Sequence, residues 1–486
     1  MKLKELLHNI DVIDFSGNEN PEVTSLEFDS RKVNKGSAFI AQRGLHADGH
    51  KFISAALMNG AAVIICEEYA HDAVQGDAVF VKVSDTNRVA GLLAAAFYGF
   101  PSSKMMVIGV TGTNGKTSIA TLLFRMFRIM GYNAGLISTI SYRINEEEET
   151  ASFTTPDAIK IQQLMNRMVE AGCGFCFMEV SSHAIHQNRI AGIEFSGGVF
   201  TNITHDHLDY HKTFAEYIKA KQRFFDILPA NAFAITNLDD KNGLIMVQNT
   251  KARVLTYSAR TMADYRCKVL ESHFDGMLLN LNGQEVWTHF VGKFNAYNLL
   301  AVFAVAVNLG QDISEVYEVI SRLEPVKGRF QTIRSIDGKL AIIDYAHTPD
   351  ALNNVLSAIA GIRTGNEQVI TVVGAGGDRD KTKRPEMAKE AALGSDRVIL
   401  TSDNPRTEQP AQIIHDMEAG IDARSKNKVI SIENRREAIK TAVLMARPGD
   451  IILVAGKGHE NYQEVNGVKH HFDDVEEVRR FFGSEE

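Results

Sequence analysis

Apolar and polar positions follow three successive rhythms along the chain. In the first hundred or so residues the apolar runs are short, as in "SAFIAQRG" and "AAVIICEE", and few large apolar helices separate them. They predict a small α/β unit. From Met105 the pattern changes, and "MMVIGV", "GLIST", "GFCFMEV", "GGVFTNI" and "AFAITN" each have strand length and precede polar or helical sequence. A third set follows "EPVKGRF", namely "LAIIDYAH", "VITVVGAGGDRD", "RVILTSDNPR" and "IILVAGKGHE". Strands that alternate with helices predict mostly parallel sheets. Ligands of such sheets bind beyond the carboxyl ends of the strands, so the polar clusters that close the third set are expected to share one crevice.

The rhythms divide the chain into three expected domains, residues 1–98, 99–326 and 327–486. A length of 486 residues is too great for a single core. Pro101 and two serines in "YGFPSSK" read as a linker between the first two domains, and the acidic run "NEEEET" reads as a solvated loop. Cys173 and Cys176 form a C-x-x-C pair, yet "GFCFMEV" has the character of a buried strand and no second pair completes a zinc site.

One stretch carries specific chemistry. In "VIGVTGTNGKTSIATLL" an apolar strand leads through a glycine-bearing loop into Ile119, Leu122, Leu123, Met126, Phe127 and Met130, which recur at helical spacing before Gly131. Gly112 and Gly115 let the backbone amides curl toward an anion at the helix N-terminus. Lys116 adds charge there, and the Thr117 hydroxyl can ligate magnesium. This reads as a nucleoside triphosphate site, although Val110 stands where the usual motif has its first glycine. Glu179, directly after a strand, is a candidate ligand for the nucleotide's magnesium. The segment "THDHLDYH" places three histidines and two aspartates within seven residues, so His207 is either a ligand of a second metal or surface decoration.

Charge and composition narrow the classes. A net charge of -8 with no basic run argues against nucleic acid as a partner. No apolar stretch reaches membrane-spanning length, and charges interrupt "MKLKELLHNI" too early for a signal peptide, so a cytoplasmic protein without a membrane span is expected. Four cysteines are too few for a disulfide framework in a chain of this size.

Ten motifs then occur in a specific order: "TGTNGKTS", "MEVSSHA", "DHLDYH", "YIKAKQRFF", "GKFNAYN", "GRF", "DYAHTPD", "GDRDKTKRP", "DNPR" and "AGKGHE". In this order the chain resembles the Mur ligases over essentially its whole length, with "FDSRKVNKGSAFIA" and "ADGHKF" similar to the family's UDP-binding domain. The resemblance extends to the shorter glycine loop. It implies an α/β fold of three domains: a small UDP-binding domain, a central P-loop ATPase domain with a mostly parallel sheet, and a C-terminal Rossmann-like domain. By resemblance Gly112, Thr113, Asn114, Gly115, Lys116, Thr117 and Ser118 hold ATP, together with Asn295, Asn298, Arg329, Asp344 and His347. Thr117, Glu179, His207 and Lys221 would hold Mg2+, Lys221 as a carbamate, and Lys116, Lys221 and His207 would be catalytic.

The resemblance is strongest to the members that join meso-diaminopimelate to UDP-N-acetylmuramoyl-L-alanyl-D-glutamate, through an acyl phosphate, in peptidoglycan precursor synthesis. It assigns Ser30 to the UDP moiety and Thr154, Thr155, Ser181, Gln187 and Arg189 to the muramoyl dipeptide. It assigns Arg379, Asp403, Asn404, Pro405, Arg406, Gly456 and Glu460 to the amino acid, with Arg406 on its distal carboxylate and Glu460 on its distal ammonium. The bland alternative for Arg406 is an ion pair with Glu408. A monomer is expected. Two rivals share the phosphate loop: a folylpolyglutamate synthase, which should lack the UDP-type first domain, and a nucleotide-dependent switch that performs no ligation.

Overall fold

The computed structural model describes residues 1–17, 20–44, 47–69 and 77–483. Three larger sheets and one hairpin organise them. In the first sheet Val79–Val83, Val63–Cys66, Ser37–Ile40 and Ser25–Glu27 run parallel, and Val12–Ser16 closes one edge antiparallel. The two central strands, Ser37–Ile40 and Val63–Cys66, are buried at every position, because helices and turns cover both of their faces.

The second sheet has 11 strands. Its parallel middle contains Ala134–Ile137, Phe175–Glu179, Met106–Thr111, Gly197–Phe200 and Phe233–Asn237, as their strand-length apolar runs predict. Behind it lie the helices Lys116–Ile129 and Lys293–Asn308, which share one apolar cluster with the sheet. Helix Lys293–Asn308 is apolar nearly all round because other elements enclose it. The middle strands approach closely at Gly109, where an added Cβ would lie 2.6 Å from the Phe224 ring and 2.9 Å from that of Phe195.

The structure corrects the sequence reading at two places. The acidic run is not a loop: Glu147–Thr150 is an edge strand paired antiparallel with Ser141–Ile144. Cations across the pleat make this possible, with Arg143 on Glu148 at 2.5 Å and both Lys160 and Arg167 on Glu149, at 2.8 and 3.1 Å. The segment after "YGF" is not a free linker either. Pro101–Lys104 forms a 3-10 turn in which Pro101 and Ser102 are buried and the Ser102 hydroxyl accepts from the Glu194 amide at 3.0 Å. A third region carried no strong pattern in the sequence: Tyr265–His273, Gly276–Leu281 and Gln284–Thr288 form an antiparallel meander at the far edge of the sheet. Cys176 lies on a buried strand, where burial pushes its thiol far up, and the neighbouring Cys173 thiol rises to about 11 for the same reason.

The third sheet has six strands, in the order Gln331–Arg334, Leu340–Asp344, Ile451–Ala455, Val369–Ala375, Arg397–Ser402 and Val429–Ser431, all parallel except the first. Its four sequence-predicted strands are adjacent, so their carboxyl ends do open on one side. No described helix is long and apolar enough to cross a membrane.

One ion pair fastens the last helix to this sheet. Arg435 and Asp474 are both wholly buried, with the guanidinium bonded bidentately at 2.7 and 2.8 Å and also donating to the Ala455 carbonyl at 3.0 Å. Removing one member strands the other charge in a dry site. Asp474→Ala is therefore expected to destabilise the C-terminal unit by about 3–5 kcal/mol. Hydrogen exchange along Ile451–Ala455 reads that loss directly, and protection equal to that of the parent chain would show that the pair adds nothing.

Candidate active site

The phosphate loop forms as its residues require. Gly112 has φ +150° and Gly115 has φ +90°. A Cβ at Gly112 would lie 1.8 Å from the Thr201 hydroxyl, and one at Gly115 would lie 2.7 Å from Asn298 Oδ1, so neither position accepts a side chain. Asn202 braces the loop from the next strand, accepting from the Thr113 amide at 2.8 Å with its carbonyl and from the Asn114 amide at 3.0 Å with its side chain. The Lys116 ammonium curls back onto the carbonyls of Gly112 and Thr113, at 3.0 and 2.8 Å. Lys221 enters from the helix Phe214–Asp226 and donates to the same Gly112 carbonyl at 2.8 Å. Only 1% of it is exposed, and burial, together with the Lys116 charge, drives its ammonium well below the usual lysine range. Lys219, on the same helix, is exposed.

Glu179 ends the strand beside the loop strand. One of its oxygens accepts from the Thr139 amide at 2.7 Å, while the other is buried with no partner. An orphaned carboxylate oxygen in a dry site calls for a cation or a proton. His207 has φ +53° and sits 3.5 Å from Asp206 and edge-on to His183, and partial desolvation in the cavity wall lowers its imidazole, which favours the neutral form that can ligate. Among the described residues no three His, Cys, Asp or Glu side chains group closely enough to hold a metal by themselves. The expected magnesium set fits in part: Glu179 and the Thr117 hydroxyl suit an ion that takes one or two protein oxygens and completes its shell with phosphate and water. Lys221 suits it only once its charge has been converted.

On the substrate side, five residues expected to hold the dipeptide form one knot. The Thr155 hydroxyl donates to the Glu179 carbonyl at 2.8 Å and accepts from the Ser181 amide at 3.1 Å, and Thr154 accepts from the Thr139 hydroxyl at 3.1 Å. Arg189 donates to the Thr155 carbonyl at 2.9 Å and to Gln187 Oε1 at 2.6 and 3.0 Å. Ser181 also caps the helix Ser182–His186.

The third domain supplies the opposite wall. Asp344 ends its strand, accepts from the Phe330 amide at 2.7 Å, and is pushed up to about 6 by burial against the opposing charge of Arg329. Arg329 lies over the Tyr345 ring at 4.3 Å and donates to Thr117 Oγ1 at 3.3 Å. Asn404 donates to Glu460 Oε2 at 2.8 Å. Arg406 donates to the Gly377 carbonyl at 2.6 Å and pairs with Glu464 at 3.6 Å. Glu408, the partner considered for it above, is held by Arg384 instead, at 2.7 and 3.0 Å.

All of this converges on one cavity of about 860 Å3. Thr113 to Ser118, Thr154, Thr155, Glu179, Ser181, Gln187, Arg189, His207, Lys221, Asn298, Arg329, Asp344, His347, Arg379, Asp403, Asn404, Arg406, Gly456 and Glu460 line it. Gly112 and Asn295 stand just behind the wall, where Gly112 receives the two lysines and Asn295 accepts from Asn298 at 3.1 Å. Two further expected residues are not on it. Pro405 shapes the turn before Arg406, and Ser30 is buried in the first domain with its carbonyl accepting from Asn59 at 2.8 Å. Three polar residues not assigned above join the second and third domains at the cavity: Asp206 pairs with Lys383 across 177 positions, and Asn114 donates to Asp350 at 3.0 Å. Asp206 and Lys383 stand inside the motifs "DHLDYH" and "GDRDKTKRP", but no spacing in the sequence connects them.

Known proteins share this architecture. The family model described as Mur ligase family, catalytic domain, matches residues 22–98, the Mur ligase middle domain matches 110–306, and the Mur ligase, glutamate ligase domain, matches 328–458. The chain is 56% identical over 482 residues to the UDP-N-acetylmuramoyl-L-alanyl-D-glutamate--2,6-diaminopimelate ligase of Bacteroides fragilis, covering 99% of each chain. A solved structure of a ligase with that name superposes with a TM-score of 0.70 at 35% identity, over 100% of this chain and 99% of the other. A Thermotoga maritima MurF ligase solved with ADP shares the fold at 19% identity and a TM-score of 0.64, over 94% of this chain and 96% of that one. With the glycine loop, the orphaned carboxylate and the two-domain cavity all in place, these matches show that the chain belongs to the Mur ligase family.

Proposed function

We propose that the chain is an ATP-dependent ligase that joins meso-2,6-diaminopimelate to the D-glutamate side chain of UDP-N-acetylmuramoyl-L-alanyl-D-glutamate in peptidoglycan precursor synthesis. The observation that carries this reading is the single cavity on which a phosphate loop, a dipeptide-type polar knot and a wall bearing Arg406, Asn404 and Glu460 face one another. The activity named for relatives such as that of Bacteroides fragilis supports the same assignment.

The chemistry follows from the residues. A carboxylate does not condense with an amine at neutral pH, because its leaving group would be an oxide ion. Phosphorylation by ATP gives the acyl carbon a good leaving group, and the amine then displaces phosphate. Lys116 and the loop amides orient the triphosphate and oppose its charge. The Thr155, Ser181 and Arg189 knot positions the accepting carboxylate near the loop. Arg329, Asp344 and His347 serve the nucleotide from the third domain. Magnesium, which Thr117, Glu179 and His207 would hold, supplies neutralisation of charge on the phosphoryl oxygens. Closure of the third domain over the second excludes water that would hydrolyse an activated acyl group. A reaction on ATP and a nucleotide-linked, water-soluble substrate fits a cytoplasmic setting.

A coupled phosphate-release assay with ATP, the UDP-muramoyl dipeptide and a panel of amino acids tests the reading, with turnover expected to be fastest for meso-diaminopimelate. Faster turnover with lysine would overturn the substrate assignment and leave the ligase chemistry standing.

Lys221 is the residue to probe next. Its ammonium is destabilised by burial and by Lys116, so a larger share is free amine near neutral pH, and free amine is the form that captures CO2 as a carbamate. Labelled bicarbonate is expected to mark Lys221 in a carbon NMR spectrum. Lys221→Ala should be severely impaired without rescue by bicarbonate, whereas short-chain carboxylic acids should restore part of the rate. Full activity of this variant beside a dead Lys219→Ala would mean the wrong lysine is assigned.

Arg406 should decide the distal carboxylate. Losing one charge-assisted, desolvated pair costs about 2–5 kcal/mol, so Arg406→Ala is expected to cut kcat/KM for diaminopimelate at least tens-fold. Lysine, which lacks that carboxylate, should be affected little. An equal loss for both amino acids would place Arg406 in the scaffold.

A further inference from the structure

Lys457, in "AGKGHE", is wholly buried and does not line the cavity, yet three residues that do line it depend on its charge. Its ammonium donates to Asn404 Oδ1 at 3.1 Å and lies 3.5 Å from Glu460 Oε2. Asp403 also feels it. Burial would raise the Asp403 carboxyl, but the charges of Lys457 and Arg435 hold it below its ordinary value. Burial and the nearby Asp403 charge push Glu460 the other way, upward, and Lys457 opposes that rise.

The same ammonium settles how Asn404 is turned. Asn404 Oδ1 accepts from Lys457 Nζ at 3.1 Å and from the Glu464 amide at 2.9 Å. With two donors aimed at one end, that end must be the oxygen, so the amide nitrogen is directed at Glu460 Oε2, 2.8 Å away. Without the lysine, only the Glu464 amide would hold that end of Asn404, and the link from the amide oxygen back to a charge near Glu460 would be lost.

We propose that Lys457 is a positioning and specificity-determining residue: from behind the cavity wall it holds Glu460 and Asn404 in the arrangement that receives an ammonium at the far end of the incoming amino acid. The inference rests on the diaminopimelate reading above. Removing the charge leaves Glu460 beside the Asp403 charge without its nearest cation, while Arg435 still holds Asp403 ionised, so the balance at Glu460 moves toward the protonated form. A wall with a neutral Glu460 offers a distal ammonium no opposite charge.

The test uses Lys457→Met in the full chain, which keeps an unbranched side chain of similar length without the charge. Steady-state kinetics with ATP and the UDP-muramoyl dipeptide compare meso-diaminopimelate with 2-aminopimelate, which keeps the distal carboxylate and lacks the distal amine. The parent chain should strongly prefer diaminopimelate. In the variant KM for diaminopimelate should rise about tenfold or more and the preference should fall by a similar factor, while KM for ATP stays within about twofold. A folded variant that keeps the parent's preference overturns the proposal, as does a uniform fall in kcat with every KM unchanged. If Lys457→Met does not fold, Glu460→Gln makes the same wall neutral and must lose the same preference. A parent chain that uses lysine instead of diaminopimelate refutes the substrate reading before any variant is made, and the comparison then runs with lysine against norleucine, which lacks the distal amine.

Discussion

Two lysine ammonium groups, from Lys116 and Lys221, converge on the carbonyl oxygen of Gly112. Like charges this close in a buried site repel strongly, and one carbonyl cannot offset both. The arrangement is tolerable only if an anion comes to the loop or if one lysine gives up its charge. Much of the surrounding structure answers that demand. The Glu179 carboxylate stands near with one oxygen free, and Lys221 is pushed toward its neutral form, the form that could be converted to an anion.

The same constraint accounts for the glycines. The backbone must curl so tightly to aim its amides that Cβ atoms at residues 112 and 115 would collide with Thr201 and Asn298. Val110 can occupy the position of the usual first glycine because it is still within the strand, paired with Glu179 and Val199, and has not entered the curl. The variant spacing of the motif is thus a shorter curl and not a weaker site.

The third domain is tied to this charge balance by contacts that all meet the loop or its neighbours. Lys383 pairs with Asp206, Asp350 accepts from Asn114, and Arg329 reaches Thr117. Asn114, Thr117 and Arg329 are among the residues expected to hold the triphosphate. Nucleotide binding at these residues would therefore draw on polar atoms that also hold the third domain to the second. On the amino-acid side the ion Lys457 plays a similar part, since a buried charge that never touches the cavity orders the residues that do.

The sequence by itself determined the local chemistry and the strands that carry it. The apolar runs of strand length became the inner strands of three sheets, and "TGTNGKTS" became a strand-to-helix anion loop, because both depend on contacts between near neighbours. The ordered motifs identified the family for the same reason: each is a local arrangement that survives as a string. Tertiary structure alone decided what those strings meet. It turned "NEEEET" into an edge strand by setting Arg143, Lys160 and Arg167 against it, gave Arg406 the partner Glu464 in place of Glu408, and left Ser30 away from the cavity. It also joined Asp206 to Lys383 and enclosed Lys457 behind Glu460 and Asn404. Pairing of charges and loss of solvent depend on which surfaces face one another across the fold, and that information is not carried by spacing along the chain.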